Sequence, residues 1–439
     1  MTARFAHVSP ELILAGAFAI LLVYAYPGYT SSDSAVQLTQ ARTHQYSDGH
    51  PPLMAALWTV VELAVTGPLG MLLIQGSLFL LGTYWILRRH VGARAAAIAA
   101  GAILLFPPVL GTMAVIWKDS QMAAFLVAGF ALLGSPSRRR RWLGVAAIAV
   151  ATGLRHNAAV ATLPILLVMY AGRPGQRRLA RLAVATAIWI GATGAALGTN
   201  RLLTQVHEHA WHYSVGPADL VGILANTRKH YTDDDVRQIL EGTPLVPKEH
   251  FQAHAKHIYD PQLWWFVVNG DQRMFDWPST EDQRAALSRA WETLVLAHPG
   301  AYVLHRFRVF RAMIELGPIA NPNVTTAVWE HHLTVSQTDD AEPRSALQRA
   351  IGAILRGFAT YTPIDRPYIY LVLSLCFLPI ARRYRDAFAL LASGVLYELT
   401  YLPFSPSAEF RYSHWMIAAT VLAAVILVVH RARQSRTPA

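Results

Sequence analysis

The stretch RRRRWLGVAAIAVATGLRHNAAVATLPILLVMYAGR, residues 138–173, decides the fold. Two apolar runs, 142–154 and 157–171, flank a polar tip, Leu154-Arg155-His156-Asn157, and arginines close both outer ends. One helix of the combined length would hold Arg155, His156 and Asn157 at mid-membrane, at a cost of about 2.5–3.5 kcal/mol per central charge. Two short helices meeting at the tip avoid that cost. The arginines then lie on one side of a membrane and the tip on the other.

The same alternation runs through the chain. Of 439 residues, 53% are hydrophobic and only 15% charged, with a mean hydropathy of +0.29, which marks a membrane protein. A bilayer core needs roughly 20 mainly apolar residues per helix. Spans are expected near 10–28, 68–87, 92–112, 116–134, 142–154, 157–171, 182–200, 367–381, 386–403 and 413–430. The run from Pro10 to Tyr26 reads as an uncleaved first span, because no small-x-small cleavage site follows it.

Placing the apolar segment Pro51 to Thr66 at the interface puts the arginines on one face. These are Arg4; Arg88, Arg89 and Arg94; 138–141; Arg173, Arg177, Arg178 and Arg181; Arg382, Arg383 and Arg385; and Arg431, Arg433 and Arg436. That is nearly half of the 38 Lys+Arg, against one acid, Asp386. By the positive-inside rule this face is cytoplasmic, with both termini on it. The net charge of +11 thus reports topology and not nucleic acid.

The fold expected is an all-α polytopic membrane protein of about ten transmembrane helices. The span count rises to twelve if the amphipathic stretch His298 to Gly317, with His305, Arg306, Arg308 and Arg311, crosses and 346–361 crosses back. An interfacial helix suits that stretch better than a span. The expected division is an N-terminal transmembrane module (1–200), a mainly helical external domain (201–366) and a C-terminal transmembrane module (367–439). Cys376 lies alone in an apolar run, so no intramolecular disulfide can form.

Polar residues that hydropathy alone calls misplaced gather on the external face. The first external loop, 28–67, carries Asp33, Gln37, Gln40 and Tyr46-Ser47-Asp48-Gly49-His50-Pro51-Pro52. Later loops add Trp117-Lys118-Asp119, Arg155-His156-Asn157 and Glu409-Phe410-Arg411-Tyr412. Ionisable groups clustered at membrane depth usually line a functional cavity. Carboxylates such as Asp33 and Asp48 suit a general base, and Arg and Lys suit a phosphate leaving group. Transfer from a phosphate-linked lipid follows as the reaction type. The bland readings are a local Lys118–Asp119 ion pair, Arg155 snorkelling to headgroups, Arg411 anchoring beside Tyr412 and Trp415, and Asp33 capping the next helix.

Asp33 just after the first span, His50-Pro51-Pro52-Leu53, Lys118-Asp119 at a helix mouth and the Arg155-His156-Asn157 tip together resemble the GT-C class of polyprenyl-phosphate-dependent membrane glycosyltransferases. The resemblance covers mainly the first 160 residues. In the first loop the chain is similar to protein O-mannosyltransferases and lipid A aminoarabinose transferases, and in all four places to uncharacterised bacterial members of the class. The resemblance implies an active site on the periplasmic side of a bacterial inner membrane, with Asp33 as catalytic aspartate. It also implies a polyprenyl-phosphate sugar donor, a glycan or lipid acceptor at the cell envelope, and an external domain that helps admit the acceptor. Where the mannosyltransferases often carry Asp-Glu, Ser34 follows Asp33 here, which leaves Asp48 as the candidate second carboxylate. His50, Lys118, Asp119, Arg155, His156, Asn157 and Arg411 are then the candidate donor and phosphate contacts.

No cofactor is required by this chemistry; a divalent metal is conceivable but unsupported. His207, His209 and His212 and the His250, His254 and His257 triplet show no carboxylate or cysteine pattern of a known type of metal site, and Glu330-His331-His332 has the same ambiguity. Trp264, Trp265, Trp277 and Trp291 suit an external core or a membrane-facing rim better than a sugar groove. Asn323-Val324-Thr325 fits a glycosylation pattern too short to use. The competing function is a transporter or flippase of a lipid-linked glycan. A transporter places its charges at mid-membrane and often repeats its halves; this chain caps its helices with charge on one side. A non-catalytic scaffold would have no use for so costly a polar cluster.

Overall fold

The structure is a computed structural model that describes residues 8–171, 177–317, 345–405 and 407–435. Arg4, Arg173, Arg436, Asn323-Val324-Thr325 and Glu330-His331-His332 lie outside the described residues. Helix dominates, and the extended pairings among the described residues are isolated bridges such as Tyr29 with Val115 and Ser47 with Val206.

The first helices are α1 (Pro10–Ala25), α2 (Ser32–Thr43), α3 (Leu53–Glu62), α4 (Leu69–Leu87) and α5 (Ala93–Leu104). They are followed by α6 (Pro107–Ala114), α7 (Lys118–Leu133), α8 (Arg138–Leu154), α9 (Ala158–Ala171) and α10 (Arg178–Leu203). Three C-terminal helices, Pro367–Ala381, Arg385–Leu399 and His414–Gln434, complete the apolar set. Each expected span but 92–112 falls on one helix, and α8 and α9 form the hairpin with Arg155 at its tip. By length and composition, four helices can cross a membrane: α4, α10, Arg385–Phe404 and Phe410–Gln434. Neither Pro299–Met313 nor Ala346–Tyr361 is among them.

One expected span is corrected. The run 92–112 is not one helix but α5 and α6, bent by 69°, because Pro107 and Pro108 cannot continue a helix from Phe106. A fifth crossing exists if this bent pair counts as one. At its other end α6 stops at Ala114, which leaves carbonyls there that hydrocarbon could not satisfy. Buried Gln75 of α4 donates from Nε2 to the carbonyls of Met113 (2.8 Å) and Val115 (3.0 Å), and Gln121 of α7 donates to Gln75 Oε1 (2.9 Å). The polar side chains inside the bundle therefore answer one need.

The described residues divide into two compact units, one within Met1–Val206, Thr326–Leu399 and Arg411–Ala439, the other within His207–Thr325 and Thr400–Phe410. The expected external stretch 201–366 is thereby divided, with the helix Ala346–Tyr361 belonging to the first unit. In the first unit α7 packs tightly on α8: a Cβ on Gly144 would meet the Gly129 carbonyl oxygen at 2.9 Å. Only glycine allows that approach, the usual device of helix packing in lipid.

The second unit has its own core, in which Leu220, Leu224, Phe251, Met274, Phe275 and Leu294 are buried. Its helix Pro299–Met313 has two faces. His305 and Arg306 are buried against Asp219, whereas Val303, Leu304 and Phe307 are exposed together with Arg308 and Arg311. Trp264 and Trp291 pack on the core, and Trp265 and Trp277 remain half exposed.

Candidate functional site

The site begins at a fastening. Beyond α1, Gly28 adopts φ +126°, and a Cβ there would sit 3.0 Å from Pro68 Cβ, so the chain turns where only glycine fits. The segment that follows is laced to the unwound residues after α6. Tyr29 N–H donates to the Ala114 carbonyl (3.1 Å), Ile116 N–H to the Tyr29 carbonyl (2.8 Å), and Trp117 Nε1 to Ser31 Oγ (2.8 Å).

Helix α2 starts on a capping box in which Ser31 is the N-cap and Ser34 its partner. Asp33 is therefore not the cap, contrary to the bland reading. Its side chain is left to face the site. Ser34, the neighbour of Asp33, donates its hydroxyl to the Ile116 carbonyl at 2.7 Å. This one residue both starts the helix and ties it to the strand leading to Lys118.

Three separate segments converge on the Asp33 carboxylate. Arg411 Nη1 lies 2.7 Å from Oδ2, Lys118 Nζ 3.9 Å from Oδ2, and His50 Nε2 3.7 Å from Oδ1. Lys118 Nζ also stands 2.6 Å from His50 Nδ1. Burial alone would raise the carboxyl pKa, but Arg411 and Lys118, then His50, outweigh it and hold Asp33 well below the usual carboxylate range. Burial, then the Lys118 charge, push His50 down to about 3. His50 is thus neutral, accepting from Lys118 at Nδ1 and turning its Nε2 proton toward Asp33. The Asp33 side chain remains 22% exposed, so the carboxylate can still be reached.

Arg411 is set between aromatic faces, its Cζ 4.9 Å from the Trp117 ring centroid and 5.5 Å from that of Tyr412. Arg155 belongs to a second pair. Its Nη2 lies 3.1 Å from Asp119 Oδ1, its Nε donates to the Tyr397 hydroxyl at 3.3 Å, and its Cζ stands 4.9 Å from the Tyr412 ring. Asp119 faces Arg155 and not Asp33, so the Lys118–Asp119 ion pair of the bland reading does not form; Lys118 turns to Asp33 and His50.

The remaining candidates sit around this centre. Asn200 of α10 accepts from Leu53 N–H (3.1 Å) and donates to the Gly153 carbonyl (2.8 Å), joining the His50-Pro51-Pro52 run to the Arg155 tip. Asp48 N–H donates to the Val206 carbonyl (3.1 Å), and its carboxylate is near enough to His156 to act on it electrostatically. His156 is exposed and Asn157 half-buried. Sequence reasoning missed Asn200, Tyr397 and the pairing of Arg411 with Trp117, since each acts across more than 40 residues. Among the described residues no cluster of three or more His, Cys, Asp or Glu could hold a metal ion.

No protein-family model matches the chain, and no curated protein matches its sequence. Among solved structures, that of ArnT from Cupriavidus metallidurans bound to undecaprenyl phosphate aligns over 96% of this chain and 78% of that one, at 13% identity and a TM-score of 0.35. At that distance the site has to be judged from its own residues. They set two arginines, a lysine and a neutral histidine around the Asp33 and Asp119 carboxylates.

Proposed function

We propose that the chain is a GT-C-type glycosyltransferase that moves a sugar from a polyprenyl-phosphate donor to an acceptor hydroxyl at the cell envelope, with Asp33 as general base. The observation that carries this reading is the Asp33 carboxylate, reachable from solvent yet held by Arg411 at 2.7 Å with Lys118 and His50 just beyond hydrogen-bond length. A base and a phosphate clamp are needed within a few ångströms of one another, and this cluster supplies both.

A carboxylate held so firmly ionised is a weak base, so the donor itself has to free it. The donor phosphate brings negative charge to Arg411 and Lys118, which then divide their attraction between phosphate and carboxylate. Asp33 regains basicity as the substrate binds. The acceptor oxygen attacks the anomeric carbon while its proton passes to Asp33. The bond from that carbon to the phosphate oxygen breaks, and the polyprenyl phosphate leaves with the electron pair, its charge met by Arg411 and Lys118. Arg155, balanced by Asp119 and stacked on Tyr412, holds the wall of the site.

The test is sugar transfer by purified protein offered polyprenyl-phosphate sugars and cell-envelope acceptors, comparing wild type with Asp33→Asn. Loss of a general base is expected to reduce transfer about 10²–10⁴-fold. No turnover with any donor, alongside uptake of a lipid-linked glycan into proteoliposomes that survives Asp33→Asn, would replace the enzyme with a transporter.

A further inference from the structure

The ends of α4, α7 and α8 remote from Lys118 and Arg155 enclose a second feature. Helix α7 has 16 residues, so Gly134, just past its far end, lies about 24 Å along the axis from Lys118. There a cavity of about 540 Å³ opens between the helices. Its wall is apolar, formed by Leu78, Leu81 and Trp85 among others, and its rim carries Arg88, Arg89 and Arg140. Among the described residues no carboxylate lines it. Leu81 and Trp85 are about half exposed, on a stretch of α4 that is long and apolar enough to cross a membrane.

The three arginines are not equivalent. Arg89 is engaged, pairing with Asp386 at 2.9 Å and donating to the carbonyls of Phe130 (3.1 Å) and Ala131 (2.6 Å). It occupies the space that any side chain at Gly134 would need. Arg88 and Arg140 are exposed, and among the described residues neither has a carboxylate within ion-pair distance. The cavity therefore joins an apolar wall to two uncompensated cations.

We propose that this cavity binds an anionic phospholipid, with an acyl chain along Leu78, Leu81 and Trp85 and the phosphate between Arg88 and Arg140. A free anion would leave the apolar wall in contact with water. A zwitterionic lipid would set its ammonium group against the arginines. Only an amphiphile with net negative charge satisfies both ends, and basic pockets between transmembrane helices recognise such headgroups. The surrounding phase supplies that lipid at high concentration. The proposal rests on the membrane reading of the chain and is independent of what Asp33 does.

Trp85 provides the readout. The full chain is reconstituted in nanodiscs of two mirrored compositions, brominated phosphatidylglycerol with ordinary phosphatidylcholine, and ordinary phosphatidylglycerol with brominated phosphatidylcholine. Quenching of Trp85 is taken as the difference between wild type and Trp85→Phe. Quenching at least twofold greater with bromine on the anionic lipid, made equal by the double variant Arg88→Gln, Arg140→Gln, is the expected result. Equal quenching in the wild type, or a preference that survives the double variant, overturns the proposal. Should Trp85→Phe fold poorly, heat stability in detergent gives the second measurement. Added phosphatidylglycerol is expected to raise the Tm of wild type more than that of the double variant, and equal shifts count against the site.

Discussion

Asp33 and Asp219 are built from nearly the same parts and put to opposite use. Asp33 has an arginine, a lysine and a histidine around it; Asp219 has Arg306 at 2.5 Å, Trp291 Nε1 at 2.8 Å and His305 at 3.1 Å. Asp219 is fully buried in the second unit, and Arg306 goes on to donate to the Ser405 carbonyl at 2.9 Å, pinning 400–410 to that unit. Every contact there is within about hydrogen-bond length. Around Asp33, by contrast, two of three partners stand at 3.7 Å and 3.9 Å and the carboxylate is 22% exposed. A closed set of charges holds a fold together, while a looser and partly exposed one leaves room for an anion to enter.

That contrast can be broken most forcefully at Asp219. Asp219→Asn leaves Arg306 buried without its charge partner, and loss of about 3–5 kcal/mol of stability is expected, read as a lowered Tm. Asp33→Asn is expected to cost less, because water and added anions can reach the vacated place. Inorganic phosphate should restore the Tm of Asp33→Asn and leave that of Asp219→Asn unchanged. Equal rescue of both, or of neither, would erase the distinction between an open and a closed cluster.

A smaller effect sharpens the site end. Arg411→Gln removes a charge-assisted hydrogen bond worth about 1.5–3 kcal/mol, so kcat/KM for the donor should fall by about 10- to 150-fold. The variant also loses the cation that most depresses Asp33, and the pH profile should gain an acid limb that the wild type lacks. A profile of unchanged shape would mean that Arg411 does not control the carboxylate.

Histidine governs how the stability responds to pH. With His50 pushed down to about 3, the unfolded chain binds a proton that the native one refuses as pH falls below about 6.5. Stability is therefore full above that value and declines as pH drops toward the folded pKa. Tm should fall between about pH 6.5 and 4, and His50→Gln should make the decline shallower without abolishing it, since burial lowers other histidines too, His305 among them. An identical slope in the variant would show His50 to be protonated in the native protein.

Much of the architecture was legible because membrane helices are written in runs of apolar residues and in the arginines between them. The Arg155 tip and the order of the helices follow from costs that act locally along the chain. Asp33, Lys118, His50 and Arg411 were legible one by one as polar groups in unlikely places. Their pairing was not, since residues 33, 50, 118 and 411 are brought together by folding and no spacing encodes it. Lys118 stands next to Asp119 in sequence yet turns to Asp33, and Asp119 answers Arg155. Likewise Asp219 sits in an unremarked apolar stretch, and His305 and Arg306 read as the wet face of an interfacial helix. By itself the sequence determined which residues could not afford to be in lipid. Which carboxylate each cation answers, and so which cluster is closed and which stays open, only the tertiary structure decided, because electrostatic energy depends on distance in space and on burial and not on separation along the chain.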